Sequence, residues 1–500
     1  MTRFLRTAIG SAFLSVPFLF LAASLSASVS PADVHRTNLL SLEITQDEYE
    51  ALRKMEIEFV TGRTDTLTFA LVSDAELQVL QERQYDYDIV MESETEVELY
   101  KRALYGPSMS LHPIYHTSDE ILRKLNTVSD QYPDLTELRT IGRTTQGKRE
   151  IRAIKISDHA DQDEDEPVVM FSGGIHADEL PGIEICMTLI DSLTAGYGKV
   201  PRISEWVDSF EIWIIPVINV DGHHVVTDNI DPRWRKNTRD LNNNGVLYEY
   251  EGDGIDLNRN FNFNWAHGGS SDSTNQRYRG PHPFSEGAAR AVRDLALEHQ
   301  FLTSITYHSQ GEVIFYPWVW GDQKAPDDKL LTEMANELGA RITTMDGDTT
   351  YIPHYGAGRV GQTYPWLYGR VGTFDFIVET GKNRHIFPPN ALKNIVASNI
   401  PGAFYLLGKS LEGPGLTGHV VNKQTGAPLK AEIFLPDIDN EMITTRTSEP
   451  DYGRFYRLLK PGTYRVIARK EGYRPKLYES VRVGESGWTE LSIQLEPISD

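Results

Sequence analysis

The sequence predicts an α/β protein built on a central sheet flanked by helices, with a small α+β unit before it and an all-β sandwich after it. Three observations carry this. Between residues 110 and 410, short continuous apolar runs alternate with stretches of helical spacing, the pattern of buried strands and the helices that cover them. After Gly413-Pro414-Gly415 the helical spacing stops, and turn residues punctuate short strand-like runs. The 500 residues have room for two to four domains at roughly 100–200 residues each. A hydrophobic content of 40% supplies cores for them and excludes bulk disorder.

Taken in order, Arg3 and Arg6 precede an apolar run from Ala8 to Ala23, and small residues follow to Ser28. A charged start, apolar middle and small-residue end predict an export signal over residues 1–28. The run is short and contains Pro17, which argues against an uncleaved anchor. No other segment offers about 18 consecutive apolar residues. The mature chain is therefore expected to be soluble and secreted, either extracellular or periplasmic. Residues 34–91 follow as the small α+β unit. Strand-like pieces at 38–44, 57–60, 67–72 and 85–91 surround a helix opened by Thr45-Gln46-Asp47-Glu48 and another carrying Ala75, Leu77, Val79 and Leu80. An acidic linker, Glu92 to Glu98, closes it.

In the central region Thr117 and Glu120 form a capping box, and Ile121, Leu122, Leu125 and Val128 line one face of the helix behind it. Val168-Val169-Met170-Phe171 reads as a buried strand, and Ile183, Cys186, Met187, Ile190 and Leu193 as the next helix. Further strands are expected within Phe210–Val220, Phe301–Tyr307 and Phe374–Val378, and a helix at Leu330, Leu331, Met334, Ala335 and Leu338. Residues 416–496 alternate without helical period, as in Thr463–Ala468, and predict the β-sandwich.

Composition removes several function classes. With 49 basic against 71 acidic side chains the net charge is −22, the opposite of the basic footprint that nucleic acid requires. The single cysteine, Cys186, excludes an internal disulfide and any multi-cysteine metal site.

In an open α/β sheet, ligands gather at the carboxyl ends of the strands. The run at 168–171 leads into Ser172-Gly173-Gly174-Ile175-His176-Ala177-Asp178-Glu179. The glycines permit a tight turn from which His176 and Glu179 can converge on one metal ion. Other apolar runs end at Tyr307-His308-Ser309 and at Glu379. Two histidines and a carboxylate leave one zinc position open, the arrangement of a catalytic site. Spacing alone does not choose the second histidine from the fourteen in the chain.

The intervening residues add Asn219-Val220-Asp221-Gly222, Trp234-Arg235-Lys236 and Asp256-Leu257-Asn258-Arg259-Asn260. In this order, with G-x-H-x-x-E at Gly174–Glu179, His308-Ser309, Tyr316-Pro317 and Glu379, they resemble the zinc metallocarboxypeptidases of the carboxypeptidase A/B type (peptidase M14) over residues 110–410. The resemblance implies a mixed sheet and one Zn²⁺ held by His176, Glu179 and His308. It implies Glu379 as general base, Arg235 as oxyanion stabiliser, Asn258 and Arg259 as a clamp on the substrate's terminal carboxylate, and Asp256 as the partner orienting His176. Tyr355 is placed as the mobile tyrosine that covers substrate, with Tyr351 and Tyr364 as alternatives. The match there needs a two-residue insertion, and Pro365 replaces an acidic residue before Trp366. Residues 416–496 resemble the transthyretin-like domain of regulatory members, and 34–91 have the size of a pro-region or a permanent accessory domain.

A separate signal is Asp240-Leu241-Asn242-Asn243-Asn244-Gly245 with Glu251, which fits a calcium loop with ligands at Asp240, Asn242, Asn244 and Glu251. The competing reading is a polar turn. The expected function is a secreted zinc carboxypeptidase acting on peptide and protein C-termini. The rivals are a zinc amidase or deacylase acting on cell-wall peptides or N-acyl amino acids, and a non-catalytic binding protein.

Overall fold

The computed structural model describes residues 37–91 and 115–498, apart from 56, 60–66, 246, 250–251, 321–322, 358 and 383–386. The expected export signal, the linker at 92–98 and Glu251 lie outside them. The chain divides into two units at residues 109 and 110.

The first unit is a four-stranded antiparallel sheet of β1 (Thr37–Glu43), β2 (Glu58–Phe59), β3 (Leu67–Ser73) and β4 (Tyr87–Met91), in the order β2-β3-β1-β4. Helices α1 (Gln46–Lys54) and α2 (Asp74–Glu82) connect its strands. Leu40, Leu42, Leu52, Ala70, Val72 and Leu80 form its core. Both helices and all four strands fall where the apolar spacing predicts them.

The second unit opens with α3 (Ser118–Gln131), whose Thr117–Glu120 capping box is made in both directions. Its sheet comprises β5 (Thr136–Arg143), β6 (Glu150–Ile156), β7 (Val168–Ser172), β8 (Glu211–Ile215), β9 (Thr303–His308), β10 (Val313–Trp320), β11 (Gln323–Lys324), β12 (Ile352–Ala357) and β13 (Phe374–Glu379). The order is β11-β10-β13-β9-β7-β8-β6-β5, with β12 alongside β10. The four central strands β13, β9, β7 and β8 are parallel, while β5, β6 and β10 join antiparallel, so the sheet is mixed. Parallel central strands put the ends of β7, β9 and β13 on one edge, and Glu379 pairs in register with His308.

Helices α4 (Pro181–Gly196), α5 (Pro201–Val207), α6 (Val220–Thr227), α7 (Gly287–His299), α8 (Asp328–Gly339) and α10 (Pro389–Glu412), with the one-turn α9 (Thr363–Trp366), complete this layer. In α4, Ile183, Cys186, Met187, Ile190 and Leu193 are all buried. The start of α4 nearly touches β9: a Cβ on Gly182 would lie 2.7 Å from the Tyr307 Cβ and 3.1 Å from its carbonyl oxygen. No flexible side-chain end can yield there. Gly182→Ala is therefore expected to destabilise the fold by about 1–3 kcal/mol, the usual cost of overpacking, despite alanine's better helix propensity. A denaturant midpoint at or above the parent's would contradict the close approach.

The C-terminal strands β14 (Gly415–Asn422), β15 (Glu432–Phe434), β16 (Arg446–Thr447), β17 (Arg454–Leu458), β18 (Gly462–Arg469), β19 (Tyr473–Arg474), β20 (Lys476–Val483), β21 (Trp488–Glu490) and β22 (Ile493–Pro497) form two sheets. One runs β17-β14-β22-β19 with β21 on β14, and the other β16-β15-β18-β20. Their facing residues, among them Leu416, Val420, Ile433, Phe455, Val466 and Leu495, make a second core between them, as in a sandwich.

Candidate active site

Local sequence builds the first half of the site. The turn after β7 is fixed by Gly173 N–H donating to Ile215 O and by Ile218 and Asn219 N–H donating back to Gly173 and Gly174. Gly174 sits at φ +59, in the left-handed region that favours glycine. Ala177 N–H then donates to Arg235 O at 3.0 Å, and the Asn219 amide donates to Lys236 O, also at 3.0 Å. These bonds bring the Trp234–Lys236 segment against the His176 turn.

His176, Glu179 and His308 converge, with ligand-type atoms all within 4.8 Å of one another. His176 Nδ1 is 2.8 Å from Glu179 Oε1, His308 Nδ1 is 2.8 Å from Glu179 Oε2, and the two Nδ1 atoms are 3.1 Å apart. All three residues are buried. On its far side His176 Nε2 is 3.2 Å from Asp256 Oδ1. A proton on Nε2 leaves Nδ1 bare and facing the other donors. Two ring nitrogens and a carboxylate this close form a set that a cation satisfies, and donor separations near 3 Å suit bonds of about 2.0–2.1 Å. The residues present therefore fit zinc.

Charge is balanced around this group. The Arg235 guanidinium donates to Glu179 Oε1 at 3.3 Å and to Asp256 Oδ2 at 3.2 and 3.1 Å. Burial opposes ionisation of Asp256, but Arg235, Arg259 and His176 outweigh it and hold its carboxyl well below the usual range. Glu179 is likewise held low, with the two histidines overcoming burial. Burial pushes His308 down to about 4, favouring the neutral ring that ligates a metal.

Asp256 also caps the short turn Leu257–Arg259 by accepting from Asn258 N–H at 2.9 Å. That turn presents Asn258 and Arg259, both buried, beside the metal-type cluster. Arg259 Nη1 donates to Asn258 O at 3.0 Å and lies 4.0 Å from Asp256 Oδ2. The Asn258 amide nitrogen is 3.2 Å from His308 Nε2, while its oxygen accepts from Thr363 N–H at 3.0 Å and from Thr363 Oγ1 at 3.3 Å. Thr363 escaped sequence reasoning, because nothing local ties it to a residue 105 positions earlier. Glu379 ends β13, half-buried and beside His308.

The chain's candidate tyrosines separate. Tyr355 pairs with Tyr316 across β12 and β10, and its hydroxyl accepts from Lys324 Nζ at 2.7 Å and lies 3.4 Å from Thr332 Oγ1. Tyr351 accepts from Gly381 N–H. Tyr364 is fully buried and feels the charges of Arg359, Arg259, Asp375 and Glu379. Tyr364 is thus enclosed in the core, whereas Tyr355 lies with Lys324 and Tyr316.

The calcium expectation finds no support. The Asn242 and Asn244 amides donate to Glu249 Oε2 at 2.8 and 2.9 Å, and Gly245 N–H donates to Asp240. The two asparagine side chains are satisfied within the loop, as in a polar turn.

The sequence profile of the zinc carboxypeptidases, Peptidase M14, matches residues 121–402, more than half of the chain. The chain belongs to the zinc carboxypeptidase family. Membership implies Zn²⁺ as the metal. Among curated members, a zinc carboxypeptidase of Saccharothrix mutabilis subsp. capreolus is 33% identical over 243 residues, covering 47% of this chain and 54% of the relative. Human carboxypeptidase D is 24% identical over 424 residues, covering 78% of this chain and 28% of the relative. The chain thus spans about half or less of the length of these two family members. The crystal structure of carboxypeptidase A from Helicoverpa armigera shares the fold, with a TM-score of 0.58 at 19% identity, over 75% of this chain and 97% of that one. No helix among the described residues is long and apolar enough to cross a membrane.

Proposed function

We propose that this protein is an exported zinc-dependent exopeptidase that hydrolyses the C-terminal peptide bond of peptides and proteins. One observation carries the reading: Asp256 joins the cluster to the turn that bears Asn258 and Arg259, so a carboxylate-type receptor and a metal-type donor set share one buried carboxylate. Guanidinium is the fork-shaped donor suited to a carboxylate. With a divalent cation present, Arg235 and Arg259 leave the site positive inside an acidic chain, which favours an anionic peptide terminus.

In this reading His176, Glu179 and His308 hold one Zn²⁺ per chain, which supplies Lewis-acid activation of water and of the scissile carbonyl. Glu379 takes a proton from water and delivers it to the departing amine. Arg235, already fixed by Glu179 and Asp256, faces the negative charge that develops on the carbonyl oxygen. Arg259 and Asn258 select a free α-carboxylate. Residues 1–28 act as the export signal, 34–91 as a pro-region or accessory domain, and 416–496 as a transthyretin-like domain.

Amidating a substrate's C-terminus is expected to remove most cleavage. Arg259→Ala should raise KM for free-acid peptides about tenfold or more, since charge-assisted bonds are worth about 1.5–3 kcal/mol, and should shrink the acid-to-amide difference. The check is kcat/KM for matched acid and amide peptides. Internal cleavage of a long amidated peptide at a comparable rate would refute the exopeptidase reading.

A further inference from the structure

The β-sandwich reaches the body of the second unit through buried charge. Asp327, just before α8, accepts from Arg457 Nη2 at 3.2 and 2.9 Å, and the same nitrogen donates to Asp439 at 3.0 Å. Tyr368 Oη donates to Asp327 Oδ2 at 2.7 Å and accepts from Asp327 N–H at 3.0 Å. Arg446 Nη1 donates to Tyr368 O at 3.0 Å, and its guanidinium lies over the Tyr368 ring, 5.2 Å from the centroid. Thr444 N–H donates to Gly369 O at 2.8 Å. Asp327, Tyr368, Arg446, Arg457 and Asp439 are all buried.

Tyr368 and Gly369 belong to a π-helical turn, Leu367–Val371, that continues directly from α9. The first residue of α9 is Thr363, which holds the Asn258 amide oxygen through its N–H and hydroxyl. From Asp327 the other arm runs into α8, where Asp328 pairs with Lys324 and Lys324 holds Tyr355. The Asp327 carboxylate therefore ties Arg457 of the sandwich to Tyr368 of the π-helical turn.

A buried ionic network adds little net stability over an apolar contact of the same shape, because desolvation offsets the attraction. Its distinctive contribution is a fixed geometry. The π-turn is the kind of backbone that needs it, since π-helical turns are rare and recur at functional sites. Arg446 Nη1 and Thr444 N–H each donate to a backbone carbonyl of that turn.

We propose that Arg446 and Arg457 of the β-sandwich are positioning residues for the active site, holding the 363–371 turn so that Thr363 fixes Asn258 for the substrate carboxylate. This rests on the reading of Asn258 and Arg259 as the carboxylate receptor. The sandwich thereby sets KM for peptide termini from the far side of the turn, without touching substrate.

The test compares full-length parent, Arg446→Met, Arg446→Lys and Tyr368→Phe on matched acid and amide peptides, with zinc content and thermal midpoint measured for each. Arg446→Met is expected to raise KM for the acid peptide fivefold or more, with kcat within threefold and zinc unchanged. Arg446→Lys, which can still reach the Tyr368 carbonyl, should recover most of the loss. Tyr368→Phe deletes only the hydroxyl on Asp327, should move KM the same way by less, and decides the matter if Arg446→Met does not fold. A folded variant with parental KM, or one whose kcat falls while KM stays, overturns the proposal, because lost folding alone lowers only the active fraction. A parent that cleaves acid and amide peptides equally would instead sink the carboxylate reading on which it rests.

Discussion

Glu379→Gln protein is expected to keep its zinc and bind peptide normally while turning it over about 10²–10⁴-fold more slowly, the usual contribution of a positioned acid–base group. The residue ends β13 in register with His308, half-buried, at the edge where the parallel strands β7, β9 and β13 all finish. In the proposed mechanism a carboxylate there would act on the same water and leaving group as the metal. Glutamine has nearly the same shape but cannot accept the proton, so binding and chemistry should come apart. The loss can exceed the quoted range, because the same group acts once on water and again on the amine. Single-turnover kinetics with zinc analysis are the check. A variant within about threefold of parental kcat rules out the role, since that is under 1 kcal/mol by transition-state arithmetic.

His176→Ala protein is expected to lose zinc and activity together. The side chain supplies one of three converging donors, and its other nitrogen meets Asp256. Removing it leaves two protein ligands and unseats the carboxylate that also orients Arg235 and the Asn258–Arg259 turn. Losing even an outer partner of a ligand costs about 10–100-fold in metal affinity, so losing the ligand itself should cost more. Metal analysis after dialysis, together with kcat/KM in added zinc, measures it. Full zinc occupancy in the purified variant would remove His176 from the ligand set, whatever happened to activity.

Some of this was legible because its causes are local. His176 and Glu179 are three residues apart in one glycine turn, and their approach needs only that turn's backbone. The Thr117–Glu120 cap, the buried face of α4 and the strands at 168–172 and 374–379 follow from spacing within a dozen residues. β5 and β6 carry no continuous apolar run, because their faces are exposed or mixed, whereas the apolar run of β10 is interrupted by Pro317, which disfavours a central strand. The calcium motif shows the converse limit. Its spacing is complete, yet the side chains at Asn242 and Asn244 turn to Glu249, a partner the motif does not contain.

Spacing along the chain thus establishes the inventory and its order: the apolar runs, the turns between them, and the ligand-type side chains at their ends. Which of these meet depends on how the strands and helices pack. Strand order placed His308, 132 residues from His176, on the same edge of the sheet. It placed Asp256 behind that histidine and Thr363 on Asn258, and it sent Tyr355 to Lys324 while burying Tyr364. The bond from Arg446 to Tyr368 across 78 residues belongs to the same class. Periodicity and turn chemistry act over a few residues, whereas partner choice between strands, and between buried charges, is settled by the packing and desolvation of the whole core at once.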